Sequence, residues 1–352
     1  MFYIKYDKDI KERVFYLKGE TDSASGYVLN LSANPTTIVY GGSSTITATL
    51  TLDGEPLVGE SISFSIGGVV VDTGTTDSSG QTQYTYVSGS VATISITGEW
   101  NDISDSVNIT VNKKPTTVDL STSSSTISVG TAPSLSGTLL DGSTGLVGES
   151  IKIYESDTLI DTVTTTTGGS FTFTGTATTV SGLLTYKAVY EGTATYSSST
   201  SSNVLITVTK LNTLLNIDVP LVLVYGDEFD ITGVLTDANS NVLSGKTVDL
   251  DVGSSKVDTG TTDSDGEVEF TRTPVSMGTH TFQLKFDGDN AYANSDSSTV
   301  TRDITKETSV LTLNSPLNNS TIYTGESVTV NGTLTDNDGV AMPNKTIIVS
   351  ES

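Results

Sequence analysis

The chain has no cysteine, one histidine (His280) and one tryptophan (Trp100) among 352 residues. Without cysteine there are no disulfides and no thiolate metal sites, and a single imidazole leaves almost no histidine chemistry. No stretch reaches the roughly 18 continuous apolar residues that a membrane helix needs, so membrane insertion is not expected. Cations are also scarce: 17 Lys plus Arg against 41 Asp plus Glu give a formal charge of −24, although only 16% of residues are charged. So few cations cannot displace the counterions of a phosphate backbone, which excludes nucleic acid as a partner, and the same charge repels anionic lipid. The start, Met1-Phe2-Tyr3-Ile4-Lys5-Tyr6-Asp7-Lys8-Asp9, lacks the basic and then apolar order of a secretory signal. Either the true start has been trimmed or export uses another route.

What the chain does have is self-similarity. Leu52-Asp53-Gly54-Glu55-Pro56-Leu57-Val58-Gly59 returns as Leu140-Asp141-Gly142 through Gly148, as Thr236-Asp237-Ala238 through Gly245, and as Thr335-Asp336-Asn337-Asp338-Gly339 through Asn344. Taking Gly59, Gly148, Gly245 and Asn344 as equivalent, the spacings are 89, 97 and 99 residues, the size of an immunoglobulin domain rather than of a solenoid repeat. A second block, Asp72 to Gly80, returns as Asp161 to Gly169 and as Asp258 to Gly266. The fourth repeat stops at Ser352 with only its first half, and the expectation is that a longer chain or another chain completes it.

Within each repeat the apolar residues alternate, as in strands with one buried face. Ile46, Ala48, Leu50 and Leu52 share a face, as do Ile62, Phe64 and Ile66. The second repeat offers Leu135 and Leu139, Ile151 and Ile153, Phe171 and Phe173, then Leu184, Tyr186, Ala188 and Tyr190. The third offers Phe229, Ile231 and Leu235, Val248, Leu250 and Val252, Val268 and Phe270, then Phe282, Leu284 and Phe286. The pattern predicts an all-β chain of tandem immunoglobulin-like β-sandwiches, two antiparallel sheets and about seven strands per repeat. Lys113-Lys114, Lys210 and Lys306 mark short linkers, so the expected organisation is an N-terminal strand-rich anchor (1–27), domains 28–112, 113–210 and 211–306, and half a domain at 307–352. Linkers this short predict an elongated rod. The anchor carries Lys5, Lys8, Lys11, Arg13 and Lys18, and two strands are expected there, Phe2 to Tyr6 and Arg13 to Leu17.

Phe286-Asp287-Gly288-Asp289-Asn290-Ala291-Tyr292 and Tyr190-Glu191-Gly192-Thr193-Ala194-Thr195-Tyr196 share an aromatic, acid, Gly, spacer, Tyr order before a Ser-rich run. With the two repeated blocks, this resembles the bacterial Ig-like repeats of adhesin-like surface proteins in methanogenic archaea, which also occur in virion proteins of tailed viruses. The first repeat departs from the pattern, with Gly98-Glu99-Trp100 where the Tyr signature would stand.

Acid-rich turns supply the candidate sites. Asp287 and Asp289, and Asp336 and Asp338, each place two carboxylates on a tight turn, a partial Ca²⁺ ligand set; the same residues also build hairpin turns without metal. No other cofactor is implied. Asn30, Asn108, Asn318, Asn319, Asn331 and Asn344 head Asn-x-Ser/Thr sequons, the candidates for glycosylation on an exposed surface. His280, uncopied in the other repeats, reads as a surface or turn position. Tyr40, Tyr225 and Tyr323, and Tyr190, Tyr196 and Tyr292, recur near the ends of repeats, either capping the core or offering flat faces to a sugar or protein.

The expected function is non-enzymatic: an extracellular stalk or filament that adheres or assembles at the cell surface. Its partners would be copies of itself or other surface proteins, met through the terminal strands, or a host glycan or protein. Two alternatives stand beside it, a virion component such as a tail fibre or capsid decoration that mediates host attachment, and a carbohydrate-binding accessory of a larger enzyme.

Overall fold

Runs of Thr, Val, Ile and Ser with period-two polarity fit a pleated, half-buried surface, and strands are the dominant elements of the computed structural model. It describes residues 26–315, 321 and 323–350. The two strands expected before residue 26, and sequons Asn318 and Asn319, lie outside the described residues. Among those described, one short 3-10 turn, Thr167–Gly169, interrupts the strands. The chain divides into two compact units: residues up to Ser123 with 134–173 and 185–204, and residues 124–133, 174–184 and 205 onward.

In the first unit, Ser43–Leu52 is the centre of a sheet. Tyr27–Asn34 and Gln81–Val87 pair with it antiparallel, and Glu55–Pro56 folds back on its end. A second sheet runs in the order Thr37–Val39, Ile103–Asn112, Thr93–Trp100, Ser61–Ile66, Val69–Thr75. Its first pair, Thr37–Val39 with Ile103–Asn112, is parallel; the others are antiparallel. The inner faces meet in a core of Ile46, Ala48, Leu50, Ile62, Phe64, Ile96 and Ile109, all 0% exposed. Leu52 and Ile66, at strand ends, are only half-buried. Gly80 shows why this core tolerates no side chain at one turn: its φ is +70°, and a Cβ there would lie 2.5 Å from Leu50 O.

The same unit holds much of the second repeat. Ser134–Asp141 pairs with Thr117–Val118, Ser121–Thr122 and Thr144–Gly145. Ser150–Glu155 pairs with Thr158–Thr164 and with residues 186–189. Leu135, Leu139, Ile151, Ile153, Tyr186, Ala188 and Tyr190 are buried as their alternation predicts.

In the second unit, Thr126–Ser128 runs parallel to Val204–Thr209, and the third repeat forms two sheets. One orders Thr213–Leu215, Phe229–Asp237 and Glu267–Arg272; the other orders Leu223–Val224, Val300–Thr305, Gly278–Phe286, Thr247–Val252 and Ser255–Thr261. Again a short early strand, Leu223–Val224, is parallel to the last, Val300–Thr305. Ile231, Leu235, Val248, Leu250 and Leu284 are 0% exposed, and the Phe229 and Phe282 rings meet edge to face at 5.9 Å. Each such side chain contributes about 1.5–3 kcal/mol by leaving water, and no disulfide supplements this packing. Of the fourth repeat, Ser309–Ser315 pairs antiparallel with Asn331–Asp336.

Candidate functional site

The acid-rich turns are built alike. Asp77, Asp237, Asp263 and Asp336 each turn Oδ1 back to accept two backbone N–H groups, those of Ser79 and Gln81, Asn239 and Asn241, Asp265 and Glu267, and Asp338 and Val340. This is the turn chemistry of a short acid that satisfies its own loop. Asn241 also donates its side-chain amide to Asp237 at 2.9 Å. That bond, joined by the two N–H groups against the cost of burial, holds the Asp237 carboxyl below the usual range.

Asp289, one of the two candidate acids of its turn, is held by its own loop and by a lysine. Asp289 Oδ1 accepts the N–H groups of Ala291 and Tyr292, both at 2.8 Å, and Oδ2 meets Lys246 Nζ at 2.6 Å. The same ammonium lies 4.6 Å from the Tyr292 ring centroid. Asp287 is exposed, on the rim of a 360 Å³ hollow shared with Lys246, Asp249 and Lys256. Lys256 is in turn paired with Asp249 at 2.8 Å.

Asp338 stands differently. Its carboxylate lies with those of Asp227 and Glu307, one oxygen from each, all within 4.8 Å of one another. Among the described residues this is the group of three acids spaced to share an ion. Asp336, its expected partner, is committed to its own turn. Asp227 and Glu307 are not evident from spacing, since they come from distant segments. The signal that marks Glu307 is an acid at a linker position where the first repeat boundary has a lysine.

The tyrosines divide by role. Tyr190 is buried and its hydroxyl donates to Glu149 Oε2 at 3.0 Å; Tyr186 donates likewise to Glu155 at 2.8 Å. Burial, and then the Glu149 carboxylate, push the Tyr190 phenol up to about 12. Tyr196 and Tyr292 clip the linker that leads into their own repeat. Lys114 donates its N–H to Thr195 O (2.8 Å) and accepts that of Ser197 (2.9 Å), forming a parallel bridge with Tyr196. Leu211 does the same with Ala291 (2.9 Å) and Ala293 (2.8 Å), in a bridge with Tyr292. Thr116 and Thr213 add a hydroxyl bond each, to Ser197 O and Ala293 O. Tyr225 and Tyr323 are exposed.

Asn30, Asn108, Asn331 and Asn344 are all exposed. His280 lies in the strand Gly278–Phe286, opposite Arg302, and its Nε2 is 3.2 Å from Ser276 Oγ. No helix among the described residues is long and apolar enough to cross a membrane.

Two sheets packed face to face, with a short strand near the start of the repeat parallel to the last, define an immunoglobulin-like sandwich protein. Residues 217–305 match the family model described as bacterial Ig-like domain (group 3), in agreement with the resemblance carried by the turn and tyrosine motifs. Solved structures similar to the chain include FdeC, an Escherichia coli adhesin, at 17% identity and TM-score 0.28, over 80% of this chain and 98% of that one. A tetra-tandem repeat from the extending region of a large adhesion protein gives 19% identity and TM-score 0.36, over 88% and 80%. Invasin, a bacterial integrin-binding protein, gives 16% and 0.36, over 82% and 62%. No curated protein matches the sequence.

Proposed function

We propose that the chain is a non-enzymatic, surface-displayed stalk of Ig-like repeats (28–112, 113–210, 211–306 and one beginning at 307) whose repeats bear tension while loops and strand edges make adhesive or assembly contacts. The contacts fit copies of the same chain, other surface proteins or a host glycan. The observation that carries this reading is the parallel pairing of a short early strand with the last strand of the repeat. Thr37–Val39 lies along Ile103–Asn112, Thr126–Ser128 along Val204–Thr209, and Leu223–Val224 along Val300–Thr305. Further bonds extend each seam: Tyr40 N–H to Asn112 O, Val129 N–H to Thr209 O and Tyr225 N–H to Thr305 O, each 2.9 Å. Pulling the two ends of a repeat drags these strands in opposite directions, so their bonds load together in shear instead of opening one at a time. The match of residues 217–305 to a bacterial Ig-like model supports the same reading.

Stretching the full chain between terminal tags tests it. Three comparable force peaks are expected, each releasing about 90 residues or roughly 300 Å of extended chain. Featureless extension would overturn the load-bearing role. Antibody against the third repeat should label intact native material; labelling only after lysis would sink surface display.

A further inference from the structure

The larger sheet of each of the first three repeats ends on a strand with a neighbour on one side only: Val69–Thr75, Thr158–Thr164 and Ser255–Thr261. The first five residues of each are exposed. They include apolar side chains, with Val70 58% exposed, Leu159 47% and Val257 38%. An exposed edge of this composition is a template for another chain, because its outward N–H and C=O groups have no ladder partner. A chain that repeats such an edge repeats the hazard in every module.

The three edges share two features that answer this hazard. Each carries a bulge: Phe64 pairs with Asp72 and Ser65 with Val70, which leaves Val71 extra, and the same count leaves Ile160 and Val257 extra in the other two. A bulge bends the strand and disrupts the ladder spacing that an incoming strand needs. The residue after each bulge is an aspartate, the acid that opens the repeated blocks Asp72 to Gly80, Asp161 to Gly169 and Asp258 to Gly266. Its Oδ1 accepts the N–H of the next residue, Thr73 at 2.8 Å, Thr162 at 2.7 Å and Thr259 at 2.8 Å. Those N–H groups point away from the sheet. Further along the same strands, Thr76, Thr165 and Thr262 donate inward to Glu60 O, Glu149 O and Lys246 O, each at 2.9 Å. Directions alternate along a strand, so a threonine an odd number of residues away donates outward.

We propose that Asp72, Asp161 and Asp258 are edge guards: each occupies the outward donor beside its bulge with its own carboxylate, which closes the larger sheet to strand addition by a second copy of the chain. An incoming carbonyl would have to displace a charged acceptor already in place, the stronger kind of partner for an N–H, and would face its negative charge while doing so. The short aspartate side chain can reach the adjacent N–H without leaving the strand. In the third repeat the same carboxylate is also steadied from the other sheet, with Arg272 Nη1 3.3 Å from Asp258 Oδ2. Contacts between copies through strand edges then fall on other strands. The guard is independent of surface display, and its failure would leave the stalk reading intact.

Sedimentation of the full chain over a range of concentrations, joined to amide exchange, tests the assignment. Asp72→Ala, Asp161→Ala and Asp258→Ala combined should raise the self-association constant at least about tenfold, with exchange at Thr73, Thr162 and Thr259 slowing as concentration rises. Asp102→Ala, Glu228→Ala and Glu269→Ala combined remove as many exposed charges outside these strands and should leave association at the wild-type level. Association unmoved by the first set, or raised as much by the second, would overturn the guard. The unaltered chain supplies a readout that needs no variant to fold. Its Thr73, Thr162 and Thr259 amides should exchange at rates independent of concentration, and protection that grows with concentration would show the edges pairing in spite of the carboxylates.

Discussion

Ser297 Oγ accepts the N–H of Leu284 at 2.9 Å inside the third sandwich and donates its own O–H to Ser298 O at 3.0 Å. Ser201 makes the same pair of bonds with Ala188 and Ser202. Removing the hydroxyl leaves a buried N–H without a partner. Ser297→Ala should therefore cost about 1–3 kcal/mol, read as a lower urea midpoint for the third repeat and faster amide exchange at Leu284. Unchanged exchange at Leu284 would refute the bond's role.

Glycine substitutions separate backbone strain from collision. Gly266 has φ +74°, and a Cβ there would lie 2.8 Å from Leu235 O; Gly253 has φ +67° with open space around it. Gly253→Ala should lose about 1 kcal/mol from the left-handed backbone alone, and Gly266→Ala clearly more. Equal losses in thermal melts would mean that the predicted collision is relieved without cost.

Alkaline stability should report the buried phenols. Tyr190 titrates near 12 in the fold against its ordinary 10.0, because burial and Glu149 favour the neutral form. The unfolded chain releases this proton first, so it binds fewer protons between the two values and stability falls as pH rises across them. The contribution is complete below about pH 10 and lost through about pH 12. Tyr190→Phe should flatten that part of the denaturation profile, leaving the slope due to Tyr186, which burial and Glu155 also push upward.

The linker clip predicts a protease phenotype. Thr213→Ala removes the bond to Ala293 O and that to Ser295 Oγ at 2.8 Å. Trypsin should cut after Lys210 several-fold faster in this variant, while the sandwich cores remain intact by mass. Cleavage at the wild-type rate would show that the backbone bridge of Leu211 with Tyr292 suffices alone.

Alternation placed Val248 and Leu250 in the core and Asp263 at its turn, because strand period and turn chemistry are local. The roles of Tyr196 and Tyr292 were not legible in the same way. Their recurrence announces a structural duty, but only the parallel bridge shows that the partner is the preceding linker. The partner of Asp289 was not legible either, since Lys246 comes from a distant segment of the chain. The trio of Asp227, Glu307 and Asp338 is harder still, since it depends on three separate segments converging in space. Reading Glu307 against Lys114 brings out part of it, as a charge reversal at equivalent positions.

The turn that carries the chain from the edge strand Val69–Thr75 or Ser255–Thr261 to the opposite sheet is closed by an aspartate, Asp77 in the first repeat and Asp263 in the third. The second repeat uses a 3-10 turn instead, with Thr166 Oγ1 donating to Ser170 O. The same corner is thus reached by two different chemistries. Both closures are made within their own loops, so each module can fold this corner without contacts from a neighbour, in arrays where misassembly between neighbours is a characteristic failure.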